Sequence, residues 1–87
     1  MMQTTQALSN QQLLLIDLAK LLNMPVTEIN MNLALRTHPY WDSLSVISLI
    51  GAIDEYYKIN ISGEELMAAR IVSDIFKMLE TKLAAEI

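Results

Sequence analysis

Apolar residues at helical spacing run along most of this chain, and they restrict its fold more than any other feature. Near the C-terminus Val72, Ile75, Phe76, Leu79 and Leu83 recur at i, i+3, i+4, i+7 and i+11, one continuous stripe. Leu14, Leu18, Leu21 and Leu22 form a second stripe. Val46, Ile47, Leu49, Ile50, Ile53 and Tyr57 form a third, broader face. Each stripe must be buried against a neighbour, and three of them can share one core. Two Gly and two Pro in 87 residues leave few of the tight turns a β-sandwich requires. The alternating Ile59-Asn60-Ile61-Ser62 is too short to found a sheet. The expected class is therefore all-α: an antiparallel bundle of three main helices plus one short helix, with a long first loop.

Capping chemistry supplies the boundaries. Ser9-Asn10-Gln11-Gln12 reads as a capping box, with Leu8 and Leu13 as its hydrophobic staple, and opens a helix over about residues 10 to 22. Asn23-Met24-Pro25 ends it, because the residue before Pro avoids helical torsions. Residues 23 to 41 make a long connection, a length that usually carries function. Its Val26, Ile29, Met31, Leu33 and Leu35 are expected to plug the core, with a helical turn near Thr27 to Met31. Asp42 is the N-cap for a second helix over about residues 43 to 57, stapled by Trp41 and Val46, with Ser45, Ser48, Asp54 and Glu55 toward the outer side. Ser62-Gly63-Glu64-Glu65 is a second capping box, stapled by Ile61 and Leu66, and opens a short helix ending near Ala69. The last helix is expected over about Val72 to Leu83, with the weakest cap of the four. Residues 1 to 8 read as a frayed polar start, 9 to 84 as the domain and 85 to 87 as a tail.

Composition narrows the function. The net charge is −4 and the six Lys and Arg are scattered, so the basic patch that nucleic acid demands is missing. The longest apolar run is about five residues, Leu49 to Ile53, against roughly 20 for a membrane span. Met1-Met2-Gln3-Thr4-Thr5-Gln6 lacks the basic-then-apolar order of a signal peptide, and the expected location is the cytoplasm. Cysteine is absent, which excludes disulfides and thiolate metal sites. Any thiol chemistry has to arrive on an attached group.

Tyr40-Trp41-Asp42-Ser43-Leu44 is where such a group has a place. It sets a serine hydroxyl in the first turn of a helix, beside free backbone N–H groups, where negative charge is favoured. Asp42-Ser43 by itself is also an ordinary helix cap, and the two readings are compatible. His38, Asp42 and Ser43 have the residue types of a hydrolase triad, but the Gly-x-Ser-x-Gly elbow and a supporting sheet are absent, and enzyme activity is not expected. Asp54, Glu55, Glu64 and Glu65 lack the spacing of a calcium loop and read as a solvated acidic face. Met24, Met31, Met67 and Met78 read as core filling ahead of an acyl pocket.

The order helix, long loop, Asp-Ser-Leu at a helix start, short helix, final helix resembles the acyl and peptidyl carrier proteins. The resemblance covers about Leu13 to Leu83 and is carried by Asp42-Ser43-Leu44, by Val46, Leu49, Ile50, Ile53, Asp54, Glu55 and Tyr57, by Ile61-Ser62, and by Val72-Ser73-Asp74-Ile75. It implies a 4′-phosphopantetheine arm on Ser43, installed from coenzyme A by a phosphopantetheinyl transferase. It implies that Asp42 caps the helix and helps the transferase recognise the site, and that Leu44 turns toward the core or the partner surface. The implied partners are that transferase, an acyl- or aminoacyl-loading ligase, and an acceptor transferase or synthase. The docking face is expected at Trp41, Ser45, Ser48, Asp54, Glu55, Glu64 and Glu65, on a monomer.

Departures from the family pattern are informative. Tyr40 stands where a glycine is frequent, and Ser45 and Ser48 stand where many fatty-acid carriers are acidic. Steering toward basic partners should be weaker or directed differently, which favours a dedicated biosynthetic pathway over housekeeping fatty-acid synthesis. The rival expectation is a cofactor-free helical interaction module that docks through its second helix.

Overall fold

The computed structural model describes residues 9–85, so Leu8 and its proposed staple, with the rest of the expected polar start, lie outside them. Four α-helices follow one another: α1 (Asn10–Leu22), α2 (Ser43–Tyr57), α3 (Gly63–Met67) and α4 (Val72–Ala85). A 3-10 turn, Val26–Glu28, interrupts the first loop, slightly earlier and shorter than the turn expected there. α3 stops short of the expected end at Ala69, and α4 runs past Leu83.

Local chemistry accounts for the ends. Ser9 Oγ accepts from the Gln12 N–H at 3.1 Å, and the Gln12 side chain accepts from the Ser9 N–H at 2.9 Å. Both capping boxes form as the sequence suggests. α1 closes through Asn23 in the left-handed region, φ 58°, with the Met24 N–H donating to the Ala19 carbonyl at 2.9 Å. Lys58 ends α2 in the same way, φ 57°. The weak cap of α4 is made from inside the helix. The Asp74 carboxylate reaches back to accept from the N–H groups of Arg70 and Ile71 at 3.0 and 3.2 Å, and these bonds hold its pKa below the usual carboxylate value.

Leu14, Leu18 and Leu22 of α1, Val46, Leu49 and Ile53 of α2, Leu66 of α3, and Val72, Ile75 and Leu79 of α4 are buried in one core. The antiparallel sense of α1 and α2 is fixed at one end, where Asn10 at the start of α1 donates to the Tyr56 carbonyl at the close of α2. The Tyr56 hydroxyl donates to Asp17, which pushes its pKa up to about 12. Lys82 of α4 and Glu65 of α3 form an ion pair at 3.1 Å.

The long loop is built in rather than free. Leu35 is fully buried, and Ile29, Met31 and Leu33 pack against the core, whereas Val26 is exposed. Backbone bonds lock this stretch to the entry of α4: Leu35 N–H to the Arg70 carbonyl, Val72 N–H to the Leu33 carbonyl, and Ser73 N–H to the Met31 carbonyl. The loop therefore delivers the chain to the start of α2 from a fixed anchor.

Candidate functional site

Two successive turns lead from that anchor to α2. The His38 N–H donates to the Leu35 carbonyl at 2.9 Å and the Trp41 N–H to the His38 carbonyl at 3.1 Å. Trp41 then folds inward. It is only 7% exposed, and its indole N–H has no partner among the described residues. Trp41 was expected on the docking face. It belongs to the core instead, because a staple residue before the cap has to pack against Val46, which is itself buried.

Asp42 is the N-cap. Its carboxylate accepts from the Ser45 N–H at 3.0 Å and its carbonyl from the Val46 N–H at 3.0 Å. Ser43 is the first residue of α2 and is exposed. The N–H groups of Ser43 and Leu44 take no partner among the described residues, as the first turn of a helix requires. Ser43 Oγ likewise makes no hydrogen bond among these residues, so the hydroxyl stands free beside two open donors.

Ser45 is the second correction. It was expected on the docking face, but it is 7% exposed and its hydroxyl donates to the Tyr40 carbonyl. Ile47, counted with the core, is 63% exposed, and Leu44 is 76% exposed. Helical phase explains the exchange. At about 100° per residue, Ile47 lies roughly 100–160° from Val46, Leu49 and Ile53, while Ser45 lies only about 40° from Leu49. Of the two orientations expected for Leu44, the outward one is observed. The outer side of α2 consists of Ser43, Leu44, Ile47, Ser48, Gly51, Asp54 and Glu55.

The remaining expected contacts are dispersed. Asp54 and Glu55 are exposed at the far end of α2, about 17 to 18 Å along the axis from Ser43. Glu64 is exposed on α3. The Glu65 carboxylate is engaged by the Ser62 N–H at 3.0 Å and by Lys82, which together lower its pKa. Among the described residues no three His, Cys, Asp or Glu side chains converge as metal ligands would. The triad constellation is not assembled either, since His38 Nδ1 accepts from the Tyr40 N–H at 3.2 Å and makes no bond to Ser43. Two open surface grooves lie elsewhere. One, of about 410 Å³, is lined by α3 and α4 residues including Lys77, Met78 and Lys82; the other, of about 200 Å³, is lined by Gln12, Leu15, Ile16 and Val26. No helix among the described residues is long and apolar enough to cross a membrane.

No protein-family model matches this chain, and no curated protein matches it in sequence.

Proposed function

We propose that this protein is a carrier of acyl or aminoacyl groups, made competent by attachment of 4′-phosphopantetheine to Ser43, and that it serves a dedicated biosynthetic pathway. The observation that carries the reading is the exposed Ser43 at the first position of a capped helix, its hydroxyl making no hydrogen bond among the described residues. Asp-Ser-Leu in this place within this helix order, which resembles the carrier family, gives the reading its direction.

The residues suit the group. Attachment joins Ser43 Oγ to the pantetheine-bearing phosphorus of coenzyme A, breaks the pyrophosphate bond, and releases adenosine 3′,5′-bisphosphate as the serine proton leaves. The product is a phosphodiester with one negative charge at the positive end of α2, favoured by about 0.3–1 kcal/mol at an exposed site. The N–H groups of Ser43 and Leu44, open among the described residues, belong to the same first turn and are donors available to such a charge. Asp42 keeps the first turn closed through the Ser45 N–H, so Ser43 is held outward while Trp41, Ser45 and Val46 pack inward. The arm, when bound, supplies the thiol that this cysteine-free chain lacks and on which cargo is held as a thioester. Partners in this reading are a phosphopantetheinyl transferase, a loading ligase and an acceptor enzyme.

The test is stoichiometric. Incubation with coenzyme A and a broad-specificity phosphopantetheinyl transferase should take the protein from zero to one thiol per chain, with Ser43→Ala remaining at zero. A parent protein that gains no thiol refutes the reading. The exposed Leu44 and Ile47 also suit a cofactor-free docking module. In that case Ser43→Ala keeps full function in the native host, whereas the carrier reading requires its loss.

A further inference from the structure

His38 engages its N–H, its carbonyl and its ring on one task, the path of the chain into α2. Its N–H donates to the Leu35 carbonyl at 2.9 Å, and the Leu35 N–H is tied to the Arg70 carbonyl at 2.8 Å. Its carbonyl accepts from the Trp41 N–H at 3.1 Å, which closes a turn over residues 38 to 41 with Pro39 in the second place, where proline is favoured. Its ring Nδ1 accepts from the Tyr40 N–H at 3.2 Å. A side-chain acceptor at the head of a turn, bonded to the N–H two residues on, is what asparagine and aspartate ordinarily supply. Here an imidazole supplies it.

The peptide unit between Tyr40 and Trp41 is thereby held from both sides. Its N–H donates to the His38 carbonyl, and its carbonyl accepts from the Ser45 hydroxyl of α2. Ser43 lies within the loop which that second bond closes, between Trp41 and Ser45, both buried. The exposed Ser43 Oγ makes no hydrogen bond among the described residues, so the backbone on either side sets its place.

We propose that His38 is a positioning residue for the modification of Ser43. Its Nδ1 fixes the Tyr40 N–H, the turn so held presents the Tyr40 carbonyl to Ser45, and the Ser43 hydroxyl is kept where a transferase needs it. This rests on the carrier reading and adds to it a residue outside the Asp-Ser-Leu motif. His38 makes no bond to Ser43 and acts through Tyr40 and Ser45.

The experiment is steady-state modification of the parent chain, and of His38→Ala, His38→Gln and His38→Asn, by a broad-specificity phosphopantetheinyl transferase with coenzyme A. Thermal unfolding first gives the folded fraction of each at the assay temperature. Asparagine carries Oδ1 on the γ-carbon, where histidine carries Nδ1, and so can take the Tyr40 N–H; glutamine carries the same amide one methylene too far. The expected result is a fall in kcat of about tenfold for His38→Ala and His38→Gln, since a reacting atom misplaced by about 1 Å can cost up to about a hundredfold. KM should hold, because the geometry and not the docking is disturbed. His38→Asn should stay close to the parent, although it lacks the ring that lies 6.1 Å from that of Tyr40 between centroids. A merely structural role would lower the folded fraction and leave the kcat of the folded protein unchanged. That result, a loss confined to KM, or a His38→Asn as slow as His38→Gln would each overturn the proposal while leaving Ser43 as the attachment site. If His38→Ala does not fold, the glutamine and asparagine variants decide between them. A parent chain that accepts no arm removes the carrier reading, and the proposal with it.

Discussion

Ser45→Ala tests whether the site is held as described. Ser45 is the buried polar side chain of α2, and its hydroxyl donates to the Tyr40 carbonyl while its N–H donates to Asp42. Removing the hydroxyl leaves the carbonyl without that donor, a loss of about 1–2 kcal/mol. Alanine recovers about 0.5 kcal/mol through its better helix propensity. Ser48→Ala isolates the first term, because Ser48 lies on the same helix, is exposed, and gains the same propensity. Ser48→Ala should therefore be neutral to slightly stabilising, and Ser45→Ala should fall about 1–2 kcal/mol below it. In a domain of this size that difference is a gap of about 4–15 °C in melting temperature, read by circular dichroism at 222 nm. Ser45→Thr, which keeps a hydroxyl, should recover part of it. Equal melting temperatures for Ser45→Ala and Ser48→Ala would refute both the buried bond and the phase assigned to α2.

Three further outcomes follow from other parts of the molecule. Asp42→Ala should lower stability by about 1 kcal/mol through loss of the N-cap and should also slow modification of Ser43; unchanged urea unfolding would contradict the cap. Leu79→Ala truncates a fully buried side chain of α4 and should cost about 2–5 kcal/mol, so a near-zero shift of the urea midpoint would contradict the position of α4 in the core. The Tyr56 hydroxyl, with its pKa pushed from 10.0 up to about 12 by its bond to Asp17, binds its proton more tightly in the folded state. Its contribution is fully present below pH 10 and is lost as pH rises toward 12. Tyr56→Phe should flatten that part of the alkaline stability profile, and an identical profile for the variant would contradict the bond.

Helix number and boundaries were legible because caps are local. Ser9 with Gln12, Asp42, and Ser62 with Glu65 each advertise a start within four residues, and all three were read from residue type alone. The start of α4 was faint for a physical reason: Ile71 cannot cap, and the acceptor, Asp74, reaches back from inside the helix. That the loop would plug the core was readable from Leu35 and its apolar neighbours. Its registration against Arg70 to Ser73 was not, since backbone hydrogen bonds between distant segments leave no side-chain signature.

At the site, the position of Ser43 at the helix start was legible, and the composition of the face around it was misread. Residue type points Ile47 inward and Ser45 outward, whereas the angular period of the helix favours the opposite for both. Trp41 carries two expectations, a staple against Val46 and a place on the docking face, and its burial in the core with Val46 agrees with the first. The acidic residues are real but lie far down α2 or on α3, with Glu65 already committed to Ser62 and Lys82. The corrected α2 face beside Ser43 carries Leu44 and Ile47 in water, with no charged side chain on it from Ser43 to Gly51.

The central claim is that Ser43 bears a phosphopantetheine arm in the working protein. Intact-mass measurement of the protein purified from its natural source, followed by peptide mapping, tests this most directly. The account requires a population heavier by one phosphopantetheine, with or without cargo, and the added mass confined to the peptide containing Ser43. A uniformly unmodified chain, or an adduct mapped to any other residue, would contradict it.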